Sequence, residues 1–179
     1  MTRWIDAAFV RGGTSKGLFF RAADLPSVGD GEERTAWDRI FTSAMGSPDA
    51  FGRQLDGMGG GISSLSKVMV VSASDRDGVD LDYTFAQVEI AEAAVDYSGN
   101  CGNLSSGVVP FALLTGLISA GDGWHVFRLF NVNTGKLVDV GLTRLVPSCL
   151  ENLLSREVCG EQVHVLKCQP NPLERGVYV

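Results

Sequence analysis

Histidine is scarce in this chain: His125 and His164 are the only two among 179 residues. A Ser/His/Asp set is therefore not on offer, and no histidine sits in a motif that would activate a nucleophile. Cysteine is nearly as rare. The four stand at 101, 149, 159 and 168 with no CxxC pair, which excludes the usual structural zinc frameworks. Basic charge is in deficit, with a net charge of −6. That argues against a nucleic-acid footprint, and no basic amphipathic helix marks a membrane surface. Long apolar runs are missing too. The longest, around Val108 to Ile118, is too short to span a bilayer. The opening Met1-Thr2-Arg3-Trp4-Ile5-Asp6 has no apolar h-region, so it is not read as a signal peptide. A reducing cytoplasm with free thiols is the expectation.

What remains is ordinary globular material, 45% hydrophobic and 20% charged. It suffices for one medium domain with a core. Trp4 to Val10 is dense in β-formers and predicts a strand, and Leu18-Phe19-Phe20 its return. Between them lies Arg11-Gly12-Gly13-Thr14-Ser15-Lys16-Gly17. This loop is either a plain turn or a cradle whose N–H and hydroxyl groups hold an anion. It is not a P-loop, since GxxxxGK[ST] is absent. Asp30 to Gly46 predicts a helix with Trp37, Ile40, Phe41, Ala44 and Met45 on one stripe. Asp30 and Glu33 would cap it, and Gly46 and Pro48 would stop it.

The stretch Arg53 to Lys67 holds four glycines within five residues, then Ser63, Ser64 and Ser66, then a lysine opening the apolar strand Val68-Met69-Val70-Val71. A flexible linker with a solvated lysine is one reading. The other is a lysine in low-dielectric surroundings that disfavour its ammonium, equipping it to accept a proton. Leu81 to Ala91 predicts a strand whose apolar parity switches near Ala86-Gln87, through a bulge or through burial on both faces.

Ser98 to Gly107 sets Cys101 in a glycine-rich turn before Leu104 to Ile118, an all-round apolar segment that predicts a buried helix interrupted by Pro110. Cys101 is then either a small core residue or a group at a helix N-terminus, where free N–H groups favour an anion. His125 to Asn133 predicts another strand, Asn133 to Lys136 a turn and Leu137 to Val140 a returning strand. Beyond Gly141 the texture changes. Leu150, Leu153, Leu154 and Val158 predict a short helix, and residues 141–179 form a divergent tail assigned no chemistry. Three polar, glycine-rich loops with one lysine and one cysteine best equip proton abstraction beside a carboxylate.

These stretches resemble, in order, the signatures of the PrpF-type methylaconitate isomerase family. The residues concerned are Val10 to Gly17, Met45 to Asp49, Arg53 to Gly57, Ser63 to Val68, Phe85 to Val88, Asn100 to Asn103 and Arg128 to Gly135. The resemblance covers about residues 3 to 140, taken as one domain. It implies an α+β lobe of the diaminopimelate epimerase fold, a β-rich sheet or barrel wrapped around a central apolar helix, with the family's second lobe absent. It implies a cofactor-independent isomerase of unsaturated di- or tricarboxylates such as methylaconitate, aconitate or oxalomesaconate. Lys67 would move the allylic proton and Cys101 would face it across the substrate. Arg11, Thr14, Ser15, Arg53, Ser64, Ser66, Asn100, Gly102 and Asn103 would bind carboxylates. The implied partners are a small polycarboxylate and either another copy of the chain or an aconitase-type enzyme. The alternative is a single inactive lobe serving at most as a binding or partner module. An epimerase or racemase is a third reading.

Overall fold

The computed structural model describes residues 4–28, 34–144, 157–158 and 161–168. Strands β1 (Ile5–Gly12), β2 (Ser15–Arg21), β3 (Lys67–Ala73), β4 (Leu81–Val88), β5 (Val95–Asp96), β6 (Gly123–Asn131), β7 (Lys136–Arg144), β8 (Glu157–Val158) and β9 (Glu161–Cys168) join one mixed sheet. Its order is β7-β6-β4-β3-β2-β1-β9-β8, with β5 on β4. Helix α1 (Thr35–Met45) fills the connection between the parallel strands β2 and β3. Helices α2 (Gly102–Ser105) and α3 (Val108–Leu114) fill that between the parallel strands β4 and β6.

Strand periodicity divides the core in two. One face carries Ile5, Ala7, Leu18, Phe20, Val68, Val70, Ala86 and Val88 against Trp37, Phe41 and Met45 of α1. The other carries Ala8, Val10, Phe19, Met69, Val71, Leu81, Tyr83 and Phe85 against Leu104, Val108, Val109, Phe111 and Ala112. Phe127, Leu129 and Leu142 close around the same helical segment. The sheet therefore wraps α2 and α3 from β1 to β7, while α1 packs outside.

The parity switch in β4 is burial on both faces. Its pairing with β3 runs unbroken from Lys67–Gln87 to Ala73–Leu81. The turn expected over Arg11 to Gly17 is shorter than its composition suggests. Pairing continues to Gly12–Ser15, leaving Gly13 and Thr14 at the tip. Helix α1 ends before Gly46, as predicted; the expected Asp30 and Glu33 cap lies outside the described residues.

The single helix expected over Leu104 to Ile118 is two. The break falls at Ser106-Gly107, where a Cβ on Gly107 would stand 2.7 Å from Val10 Cγ1. Pro110 is accommodated as the third residue of α3, where an N–H would have no intrahelical acceptor. Strand β7 runs beyond the expected boundary at 140, and β9 pairs antiparallel with β1 from Ile5–Cys168 to Val10–Val163. Of the helix expected near 150–158, Val158 lies in β8, and Leu150, Leu153 and Leu154 lie outside the described residues.

Candidate functional site

Four strand ends meet at one end of the sheet: the last residues of β1 and β4 and the first of β2 and β3. On the α2 side of that end, strand parity puts Gly12, Ser15, Gly17, Lys67, Phe85 and Gln87. The approach is backbone-close. A Cβ on Gly12 would sit 2.1 Å from the Asn103 carbonyl oxygen, and one on Gly17 2.5 Å from that of Lys67. The glycines of the first loop are thus spacers that let the hairpin, the start of β3 and α2 converge.

Lys67 is 8% exposed. Its Nζ donates to Gln87 Oε1 at 2.6 Å and lies 5.2 Å from the centroid of the Phe85 ring. Gln87 Nε2 donates in turn to the carbonyls of Ser66 (2.8 Å) and Ser63 (3.2 Å). Phe85 is held by Asn133, whose side-chain oxygen accepts the Phe85 N–H at 2.7 Å while its nitrogen donates to the Phe85 carbonyl at 2.8 Å. Asn133 acts as a substitute strand partner for β4.

Cys101 is the N-cap of α2, half-buried and free of any disulfide. Its thiol donates to Ser15 Oγ at 3.5 Å. The Ser105 hydroxyl donates to the Cys101 carbonyl at 2.9 Å, and the Tyr83 hydroxyl to Asn100 Oδ1 at 3.4 Å. Asn103 Nδ2 donates to Thr14 Oγ1 at 3.0 Å, tying α2 to the hairpin tip. The N–H groups of the first turn of α2 have no intrahelical acceptors. The lead-in is anchored at Asp96, whose carboxyl is held below its ordinary range by the Ser98 N–H and then the Ser98 hydroxyl. It is anchored again at Tyr97. Burial and then the bond to Asp38 push that phenol up.

The expected binding residues separate into two groups. Thr14, Ser15, Asn100, Gly102 and Asn103 gather around Cys101. Ser64 lies in the short 3-10 turn Ser63–Leu65 just before Lys67. Ser66 is instead wholly buried, its hydroxyl donating to the Val88 carbonyl and accepting from Gln54 Nε2; it braces the entry to β3 and does not face the site. Arg11 turns its Nε back onto the Gly13 carbonyl. Arg53 has an exposed side chain, with its backbone N–H on Asp49.

Composition left Gln54, Tyr83, Phe85, Gln87 and Asn133 without a role. Gln54 is 1% exposed, at a φ of +52°, and its amide also bonds Ser47 Oγ and the Gly61 N–H. Among the described residues, no three His, Cys, Asp or Glu side chains gather to hold a metal. No helix there is long and apolar enough to cross a membrane.

The family model described as "PrpF protein" matches residues 2–145. A 2-methyl-aconitate isomerase of Cupriavidus necator is 46% identical over 138 residues, 75% of this chain and 35% of that protein. A 4-oxalomesaconate tautomerase of Pseudomonas putida is 49% identical over 133 residues, 74% of this chain and 35% of that protein. The chain thus spans about a third of the length of these curated relatives. Among solved structures, a methylitaconate-delta-isomerase superposes with a TM-score of 0.73 at 38% identity, over 80% of this chain and 61% of the other. A hydroxyproline epimerase from Agrobacterium vitis shares the fold, with a TM-score of 0.52 at 15% identity over 92% of this chain and 49% of the other. The lobe has an epimerase-like fold, and the chain belongs to the PrpF family.

Proposed function

We propose that this chain carries one wall of the active site of a cofactor-independent isomerase acting on an unsaturated di- or tricarboxylate of the methylaconitate, aconitate or oxalomesaconate type. The observation that carries the reading is a buried amine, Lys67 Nζ, on the same sheet end and face as the Cys101 turn. An allylic C–H beside a conjugated carboxylate is acidic because the electron pair left behind spreads into that carboxylate. Lys67 in its neutral form takes the proton, the double bond shifts, and the proton returns to the other end of the allyl unit. No atom is gained or lost. The N–H groups of Gly102 and Asn103 receive a substrate carboxylate, where negative charge grows as the proton leaves. Thr14, Ser15 and Ser64 border that place. Cys101 opposes Lys67 as second proton carrier or as a wall that orients the substrate. Named isomerase activity in the relatives supports the reading.

The test is incubation with cis-aconitate or 2-methylaconitate in deuterated water, read by NMR. Deuterium at the allylic carbon, with conversion between isomers, is the expected result. Absence of both, also when these residues are carried in a chain of the relatives' full length, overturns the proposal. A second reading is a lobe that binds carboxylates without turnover. It predicts carboxylate-dependent shifts of the Gly102 and Asn103 amides with no deuterium uptake.

A further inference from the structure

The reading of Lys67 as the proton-transfer residue, on which this inference rests, requires a nitrogen that stays in place while its charge changes. We propose that Gln87 is the positioning residue of Lys67, a neutral amide that fixes Nζ in both protonation states.

Three observations carry this. First, the direction of the Gln87 amide is determined. Its Nε2 faces two carbonyl oxygens, those of Ser66 and Ser63, at 2.8 and 3.2 Å. Turned the other way, its oxygen would meet both carbonyls and its NH₂ group would meet the ammonium. Oε1 is therefore committed to Lys67 Nζ, at 2.6 Å. Second, the reach is short. Lys67 and Gln87 are direct partners across β3 and β4, so the amine is pinned to the regular ladder. Third, the ring of Phe85, two residues earlier on the same face, stands 5.2 Å from Nζ, and the backbone that carries it is held by the Asn133 amide.

The chemistry explains why an amide suits this place. An ammonium has three hydrogens and an amine two, so each state keeps one for Oε1. The remaining valences point elsewhere, toward an incoming C–H. A carboxylate at 87 would hold the same atom but would also favour the ammonium. A thioether would leave the nitrogen free to swing. A residue that must take a proton and return it is served by an acceptor that fixes the atom without fixing the proton.

The experiment uses the chain labelled with 15N-lysine. It has four lysines, at 16, 67, 136 and 167, and Lys67→Arg assigns the Nζ signal of interest. In the unaltered chain that signal is expected to be slowed in solvent exchange. Gln87→Met should abolish the slowing and lower kcat about tenfold or more, with KM within about twofold. Gln87→Glu should keep the slowed signal yet still lower kcat, because the ammonium is held. If Gln87→Met does not fold, Gln87→Asn, one methylene too short to reach, should give the same loss of slowing. An unchanged Lys67 signal in the Met or Asn variant overturns the positioning role. A full kcat in Gln87→Glu overturns the claim that neutrality matters. If neither this chain nor one of the relatives' full length carrying these residues turns anything over, the nitrogen signals still decide on Gln87, and it is the proton-transfer reading of Lys67 that fails.

Discussion

Lys67 and Cys101 stand at the same end of the sheet but are held in opposite ways. Lys67 is the first residue of a regular strand, and its amine is fixed by the residue directly across the ladder. Cys101 lies where a loop becomes a four-residue helix; its carbonyl accepts from the Ser105 N–H and hydroxyl, each at 2.9 Å, while its thiol meets the Ser15 hydroxyl at 3.5 Å. A side chain fixed across a strand ladder has its position set by the sheet, while a side chain at the start of a short helix has it set by the loop that leads in. The contrast fits the proposed roles, a proton carrier at Lys67 and an orienting group at Cys101.

The largest test of this contrast is chemical. Lys67→Ala is expected to lower isomerisation or deuterium uptake about a thousandfold, and Cys101→Ser only about tenfold to a hundredfold. Equal small losses would remove the asymmetry. Gly12→Ala comes next, because its Cβ would press on the Asn103 carbonyl. It should push α2 off the hairpin and cost about 3 kcal/mol, read as a lower urea midpoint. Tyr83→Phe removes the hydroxyl beside Asn100 and Ser105. About 1 kcal/mol is expected, together with faster amide exchange at 100–105 and none at 67–71. Equal change on both sides would merge the two environments.

The smallest effect concerns pH. Asp49 is held below its ordinary carboxyl range by the N–H groups of Phe51 and Arg53, then that of Gln54. A depressed folded-state pKa contributes stability above the unfolded value of 3.8. That contribution fades as pH falls through the lower folded one. Asp49→Asn should therefore melt earlier than the unaltered chain at pH 7, and the difference should narrow below that value. A gap that stays constant on acidification would show the hydrogen bonds to matter without the charge.

The parts of the candidate site that announce themselves in the sequence are those with dense local composition. Lys67 stands out because glycines and serines precede it and an apolar strand follows, and Cys101 because Gly99, Asn100, Gly102 and Asn103 surround it. Gln87 carries no such mark, since its importance arises from a strand pairing twenty residues away. Asn133 looks like a turn residue until its amide is seen completing the edge of β4. Ser66 shows the reverse error. It lies beside Lys67 in the chain, but strand parity turns its hydroxyl to the other side, onto Gln54 and Val88. The break at Gly107 escapes a pattern of apolar residues because its cause is the approach of Val10 and Phe19 from other strands. Apolar alternation made most strands legible, whereas the place of β9 beside β1 depends on a pairing with no local trace.

The bonds that tie the Cys101 turn to the hairpin join residues 86 and 89 positions apart in the chain. Closing such long loops yields no reward until both ends are already structured. The Lys67–Gln87 pair, by contrast, forms with its own hairpin. The two parts of the candidate site are therefore expected to form at different moments of folding, the lysine early and the cysteine turn late. Under mild denaturant the turn is expected to open first, its amides exchanging while those of β3 and β4 remain protected.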